Sequence, residues 1–462
     1  MGAEQMVAAA RPISLWLDRL GHQPARPPVE SAAVDLLVVG AGLTGLWASL
    51  EAARQGHDVT VVDSATVGSG ATGRCGGFIN ASITHGIANG HARWPDEMPG
   101  ILDIQRRLWD DTLMLVNGND GDAPIIEPVG KYTVATRPHA MAEINSAVTM
   151  LRSYGEDVEQ FDGDEVRRRL GSTSYLAGYH LRSANGLCDP ARLTARLAVI
   201  AEGAGATIAE GSHVVDLRRR DDGVVVSFAH GPRVSARRVL LCTNAAPPLL
   251  RRLRAFVTPV YDHAIATEPL SESVWNDIGW RDHAGVTDAG NQFHYYRPTP
   301  DRRILFGGWE ASYHFGGRVD PRYEHSPAVH ALLYRHLVAV HPALEGLAIS
   351  HAWGGAVDST SRFTPTIHTA AGGRIGWAVG FTGLGVGASR FAALAALDLL
   401  LDRSTERTEL SLVRRQPVPF PPEPLRWLII QFTKRALISQ DVSGRRGLWL
   451  RFLDRLGVGF DT

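Results

Sequence analysis

The segment from Asp35 to Asp63, DLLVVGAGLTGLWASLEAARQGHDVTVVD, constrains the fold of this chain more than any other. An apolar run, Leu36 to Val39, leads into Gly40, Gly42 and Gly45 at G-x-G-x-x-G spacing. A helix-compatible stretch follows from Leu46 to Gln55 and stops at Gly56, and a second β-rich run, Val59 to Val62, ends on Asp63. Strand, tight turn, helix, strand and terminal acid in this order are the parts of a dinucleotide site. Gly40 permits the turn, Gly42 lets the backbone approach a pyrophosphate, and Gly45 lets the helix close on the sheet. The first helical turn, with Leu43 and Thr44, presents free N–H groups and a partial positive charge to phosphates. Asp63, eighteen residues after Gly45, is placed to accept hydrogen bonds from ribose hydroxyls, with Ser64 beside it. The glycine spacing alone is weak evidence; the flanking strands and the acid make it specific.

The remaining composition narrows the class. With 462 residues, 44% hydrophobic and 21% charged, the chain is long enough for two or three globular domains. A net charge of -1 gives no basis for nucleic-acid binding. Lys131 and Lys434 are the only lysines among many arginines, which we read as a compositional bias. Cys75, Cys188 and Cys242 are scattered, so neither a disulfide framework nor a metal site is expected. The N-terminus lacks the apolar core of a signal peptide, and no run approaches the roughly 18–20 apolar residues of a membrane span. A cytoplasmic protein is expected.

An α/β fold follows from the order of elements. Residues 1–33, with SLWLDRL and a Pro-rich stretch, read as an arm. Helical spacing covers 101–116, 138–154, 164–170, 189–203, 327–341 and 390–401. Strand-type runs fall at 131–135, 207–208, 214–218, 224–228, 237–243, 257–267, 292–297, 304–309 and 375–380. The tail holds Pro417–Pro424 and helical segments at 427–438 and 448–456. The expected division is an N-terminal arm at 1–33 and a discontinuous Rossmann-like domain from 34–99, 180–254 and 351–402. An inserted antiparallel-sheet substrate domain takes 100–179 and 255–350, and a helical extension 403–462.

Three features favour FAD over NAD. The motif stands near the N-terminus with a substrate domain inserted behind it. Val67 to Phe78, VGSGATGRCGGF, supplies Gly68, Gly70, Gly73 and Gly76 with Ser69 and Thr72, a backbone able to wrap a long cofactor. Arg74 there can neutralise pyrophosphate. A strand-then-glycine cluster recurs at Gly380, Gly383, Leu384, Gly385 and Val386, where a helix N-terminus can stabilise the negative charge of a reduced flavin. A second nicotinamide turn there lacks the following acid-terminated strand, and the Gly-Asp pairs at 121 and 163 read as polar loops rather than hydroxylase-type motifs.

At these residues the chain resembles the D-amino-acid oxidase-like FAD-dependent oxidoreductases, the group of glycine oxidase, sarcosine oxidase and D-amino-acid dehydrogenase. The carrying motifs are VVGAGLTGLWAS at 38–49, VVDSATVGSGATGRCGGF at 61–78 and GLCDPARLTARLAVIAEGAGATIAEGSHVVDL at 186–217. RRVLLCTNA at 237–245 and AVGFTGLGVGAS at 378–389 complete them. G-A-T-G-R-x-G-G-F and the LWLD arm are most similar to gamma-glutamylputrescine oxidase-like members. The likeness covers the chain to about residue 402 and is specific for FAD, not for substrate. It implies a FAD-binding domain of the glutathione-reductase type. It implies that Val214 or Val215 meets adenine through the backbone, and that Thr243 and Asn244 lie near the ribityl and phosphate portion. It implies hydride transfer from the carbon next to an amine to flavin N5, giving an imine that hydrolyses. In dimethylglycine dehydrogenase-like relatives the position of Cys75 looks like the flavin-linked histidine. We expect Cys75 to pack beside a non-covalent FAD, with a covalent link the minor alternative.

Such chemistry needs a pocket more than a triad. The wall candidates are Tyr295, Tyr296, Arg297 and Trp309 on the middle strands, with Trp353 and Phe381 near the flavin. Aromatics can hold a cationic amine, and Arg297 can clamp a carboxylate, although either can equally belong to the core or to a salt bridge. Asp358 and Arg362 face the flavin or cap a loop, and Glu310 binds a distal ammonium or sits in solvent. Some relatives use a Lys over the flavin to speed reaction with O2. Neither lysine here lies in a flavin motif, so slow or differently assisted O2 reduction is expected. The expected partners are a small-molecule amine and O2 or another acceptor, on a monomer or homodimer. The alternatives are a membrane-surface dehydrogenase passing electrons to a quinone, its contact made by Leu425–Ile438, and a non-catalytic flavin-binding protein.

Overall fold

The computed structural model describes residues 2–118 and 123–458. Two eight-stranded sheets and a three-stranded one carry the fold. The first sheet grows from the opening motif. Its central strand, Ala33–Val39, lies parallel to both Val59–Val62 and Arg233–Leu241. Thr207–Ala209 extends it parallel beyond Val59–Val62. Val34, Leu36, Leu37, Val38 and Val39 are all buried, as expected of a strand covered on both faces. The outer edge of Arg233–Leu241 is shared. Its first half takes Val224–Phe228 antiparallel and its last residues take Ile375–Val379 parallel. Parallel crossovers with an antiparallel meander on one edge give the α/β fold expected.

Helices Leu43–Arg54, Pro190–Gly203 and Gly385–Leu400 cover one face of this sheet and share a core with Met98–Asn117. Gly45 makes the close approach possible, because a Cβ there would overlap the Gly40 carbonyl and stand 3.1 Å from Val38. Pro190–Gly203 starts where Asp189 accepts from the amides of Ala191 and Arg192, each at 3.0 Å, with Pro190 in the first turn.

The second sheet runs Ile349–Ser359, Thr258–Thr267, Ile304–Gly308, His294–Pro298, Gly285–Asp288, Lys131–Ala135, Ala177–Leu181, Val158–Asp162. Only the pair Gly285–Asp288 and Lys131–Ala135 is parallel. Helix Pro327–Val340 backs it through Leu333, Tyr334 and Leu337. The three-stranded sheet (Phe78–Asn80, Asn185–Cys188, Ile126–Glu127) ties the two together.

The chain divides differently from the sequence reading in two places. The expected substrate domain begins at residue 100, yet the apolar face of helix Met98–Asn117 joins the core of the first sheet. Ile349–Ser359, partly assigned to the dinucleotide domain, is an edge strand of the second sheet along the whole of Thr258–Thr267. Gly163 opens the helix Gly163–Leu170 and is not in a loop; the pair at 121 lies outside the described residues. Among the described residues no helix is long and apolar enough to cross a membrane.

Candidate active site

One cavity of about 1580 Å³ runs between the two sheets. It exceeds the roughly 300–1,000 Å³ of ordinary small-molecule pockets, as a site for cofactor and substrate together must. Its walls are built from the separated motifs of the sequence.

The first motif supplies Gly40, Gly42, Leu43 and Thr44. Gly40 has φ +110°, and a Cβ there would stand 2.5 Å from the Cys242 carbonyl oxygen. The helix is N-capped by Gly42 with no side-chain hydrogen bond. Among the described residues only the Leu43 amide of this first turn meets a side chain, the Thr72 hydroxyl at 3.5 Å, and a helix start so open is the arrangement that receives phosphate. Asp63 lines the cavity with Ser64, and its carboxylate accepts from Ala41 at 2.7 Å and Ala65 at 2.9 Å. The acid thus also braces the turn it follows.

Ser69, Thr72, Arg74, Cys75 and Gly76 form the next stretch of wall. Arg74 donates to the Ser69 carbonyl at 3.1 Å and pairs with Glu324, so its charge is already balanced. Burial pushes the Cys75 thiol up to about 11, and the thiolate needed for attachment to a flavin is disfavoured. Val214 and Val215, Thr243 and Asn244, and Gly383 to Val386 complete the wall. Gly45, Gly73 and Gly380 stand behind it. Gly73 packs on Leu17, and Gly380 on Thr360.

Asp358 organises the late glycine turn. Its carboxylate accepts from the amides of Gly380 and Phe381, and its backbone carbonyl from Thr382 at 2.8 Å. It is 1% exposed, and desolvation raises its carboxyl to about 7. Arg362 caps the same region, donating to the carbonyls of Leu412, Arg415 and Pro365. It therefore acts as a loop cap, and Asp358 both caps the turn and lines the cavity.

The catalytic candidates separate. Tyr295, Trp353 and Phe381 line the cavity. Strand alternation sends Tyr296 the other way, where its hydroxyl meets Tyr175 at 2.7 Å in the core. Trp353 donates its indole N–H to the Arg74 carbonyl at 2.8 Å. Arg297 is 2% exposed and does not reach the cavity. It donates to the carbonyls of Gly77 at 2.8 Å and Cys188 at 2.7 Å, joining the three-stranded sheet to the second sheet. With Nε and Nη1 bonded to backbone carbonyls, no ion pair among the described residues and no place on the cavity wall, Arg297 gives neither the carboxylate clamp nor the salt bridge. Trp309 is also outside the cavity. It follows Gly308 (φ +96°), adopts φ +70° itself, and stacks on His294 with ring centroids 4.8 Å apart. Glu310 is outside the cavity lining and pairs with Lys434 at 3.0 Å.

Three wall residues escaped the sequence reading or its emphasis. Asp262, in the middle of the strand Thr258–Thr267, accepts from the Tyr295 hydroxyl at 2.7 Å. The Tyr295 ring is held by close approach, since a Cβ at Gly76 or Gly307 would collide with it. Desolvation raises the Asp262 carboxyl to about 6, and no cation pairs with it among the described residues. His85, at φ +60°, bonds the Thr382 carbonyl at 3.1 Å. Lys131, set aside because it lies in no flavin motif, is on the cavity wall. A charge inside an apolar strand marks Asp262 in the sequence, and scarcity marks Lys131.

A Rossmann-type sheet, an uncapped phosphate-facing helix and a cavity spanning a second sheet define a dinucleotide-dependent oxidoreductase. The family model of the DAO-type FAD dependent oxidoreductases matches residues 35–399, and the chain belongs to that family. It is 28% identical over 411 residues to a probable oxidoreductase, OrdL, of Haemophilus influenzae, covering 84% of this chain and 88% of that one. It is 28% identical over 346 residues to the gamma-glutamylputrescine oxidoreductase of Escherichia coli, covering 71% and 74%. Among solved structures, glycine oxidase from Geobacillus kaustophilus superposes with TM-score 0.66 at 22% identity, covering 81% and 96%. The protein is a FAD-dependent oxidoreductase, and the glycine cradle at 40–45 and the walls at 64–76 and 383–386 fit that cofactor.

Proposed function

We propose that the protein oxidises amines or amino acids at the carbon next to nitrogen. The observation that carries this reading is the Asp262–Tyr295 pair on the cavity wall. A carboxylate out of water, bonded to a neutral phenol and lacking a cation, favours a ligand that brings a positive charge. A substrate ammonium supplies it. FAD, when bound, supplies the hydride acceptor. The chain's own residues then bind, orient and dehydrate. Asp262 holds the ammonium, and Tyr295 fixes the carboxylate by donating to it. Trp353 and Phe381 give apolar wall that excludes water, and the ammonium proton passes to the Asp262 carboxylate, whose proton affinity burial raises, leaving the free amine. The family name and the printed names of the similar proteins support the class, not the particular amine.

Asp358, holding the turn Gly380–Thr382, would act as a positioning residue for the bound cofactor through that turn. Residues 40–44, 63–64, 69–76, 214–215, 243–244 and 383–386 are its proposed binding residues, and the Cys75 thiol supports a non-covalent cofactor. Lys131 lies on the cavity wall but in none of the flavin motifs, so slow or differently assisted O2 reduction stays the reading, with O2 or another acceptor taking the electrons. The reading is tested by incubating the FAD-loaded protein with single amines and identifying products. Aldehyde or keto acid formed with ammonia or a smaller amine supports it. Oxidation confined to alcohols or hydroxy acids contradicts it.

A further inference from the structure

The arm that carries the LWLD motif stays off the cavity wall and packs directly behind it. Its outer part is tied to the second sheet. The Arg11 amide donates to the Ser350 carbonyl at 2.9 Å, the Ala352 amide donates to the Arg11 carbonyl at 3.0 Å, and Asp18 bonds the His351 ring at 3.2 Å. Ser14 and Trp16, each 2% exposed, reach inward to the wall stretch 69–76. There three successive backbone carbonyls are each held by a side chain from elsewhere. Ser14 Oγ donates to the Gly73 carbonyl at 2.6 Å. The indole N–H groups of Trp353 and Trp16 donate to the carbonyls of Arg74 and Cys75, each at 2.8 Å. Leu17 closes on Gly73, where a Cβ would stand 2.6 Å from its Cδ2. The Trp16 ring is gripped in turn. The Arg297 guanidinium lies 5.2 Å from its centroid, and a Cβ at Gly77 would stand 3.1 Å from its Cζ2.

A held carbonyl fixes the peptide plane to which it belongs. The Cys75–Gly76 peptide is trans, so its C=O and N–H point to opposite sides. With the carbonyl turned to Trp16, the Gly76 N–H is turned away from the arm. Gly76 lines the cavity and Trp16 does not. The Gly76 N–H takes no hydrogen bond among the described residues. The loop has little of its own to hold this plane. It lies between the short turn Thr72–Arg74 and the strand Phe78–Asn80, and its glycines at 73, 76 and 77 leave the backbone wide freedom. The side-chain donors behind it supply the order that a ladder or a helix supplies elsewhere.

We propose that Ser14 and Trp16 are positioning residues for the flavin. By holding the carbonyls of Gly73 and Cys75 from behind, they fix the peptide planes of the wall and leave the Gly76 N–H to the cofactor. Arg297 holds the ring that holds the loop. The inference rests on the placement of residues 69–76 at FAD proposed above and is independent of the substrate oxidised.

The test titrates FAD into full-length apoprotein and reads two quantities, the Kd and the visible circular dichroism of the saturated flavin. Trp16→Phe keeps a ring and removes the N–H, and Ser14→Ala removes the hydroxyl. Arg19→Ala is the control on the same arm, since Arg19 pairs only with Asp301 at the surface, at 2.9 Å. Cys75→Leu adds bulk to the wall itself and reports whether that wall meets the flavin. W16F and S14A should each raise the Kd about 3- to 10-fold and change the dichroism, while R19A leaves both as in the parent. Should W16F fail to fold, S14A decides on the same readouts. A raised Kd with parent dichroism makes the arm a structural brace only and overturns the proposal, as do equal changes in R19A. Parent values in W16F and S14A beside a changed C75L overturn the role of the arm and leave the wall placement standing. Parent values in C75L as well remove both.

Discussion

Asp262 and Asp358 are buried carboxylates with different work, and substitution separates them. Replacing Asp262 by Asn keeps the shape and removes the charge. If the carboxylate holds the substrate ammonium, D262N should lower kcat/KM about 10- to 100-fold, mostly through KM, while FAD is retained. Wild-type kcat/KM should also rise with pH through about 6 as Asp262 ionises, and D262N should lose that limb. Asp358 reads out in stability. Its folded carboxyl is raised to about 7, above its unfolded value, so the folded state binds the extra proton. Its contribution is fully present below about pH 4 and is lost as pH rises through 7. Thermal melts of the apoprotein should therefore fall more steeply between pH 4 and 7 for wild type than for D358N. Parallel curves for the two would count against the assignment.

At the scale of elements, the tail is stitched to the body. In helix Leu425–Ser443, Asp441 is 5% exposed and accepts from the amides of Asn291 at 3.0 Å and Gln292 at 2.6 Å. Arg137 donates to its backbone carbonyl at 2.7 Å. Gly290 and Phe293, flanking these contacts, line the cavity, so the helix holds part of its mouth. D441A leaves three part-buried donors unmet and should release the helix at a cost of about 1–3 kcal/mol. Hydrogen exchange over 425–443 and 289–293 should then rise together; a rise in the tail alone would show that the mouth does not depend on it. The mixed apolar and basic pattern of this segment favours packing on the body or on a second subunit over a membrane surface, and the helix is found on the body.

The same scale shows what the sequence could and could not carry. Gly40, Gly42 and Asp63 were legible because a phosphate cradle is local: its glycines, helix start and acid lie on one short stretch. Arg297 and Trp309 were misplaced because their orientation is decided by neighbours distant in sequence, the Gly77 and Cys188 carbonyls for one and His294 for the other. Ile349–Ser359 was missed as a strand because Gly354 and Gly355 break its apolar alternation. Gly354 is there because His263 leaves no room for a Cβ.

For the whole molecule, the cavity draws walls from both large sheets and from the strands between them. Bound FAD should therefore stabilise the molecule as a unit, by about 2.7 kcal/mol at a hundredfold excess over Kd. Differential scanning calorimetry should show one transition that moves up with FAD; a second, unmoved transition would mean that the sheets unfold separately. G45V, which thrusts a side chain into the Gly40 carbonyl, should lose both FAD and that shift.

The central claim is that this FAD protein takes electrons from amines. Anaerobic mixing of the FAD-loaded protein with a panel of polyamines, acylated polyamines, N-methyl amino acids and D-amino acids tests it most directly. The account predicts that at least one amine bleaches the flavin absorbance completely, faster in wild type than in D262N. A flavin that dithionite reduces but no amine in the panel bleaches would contradict it.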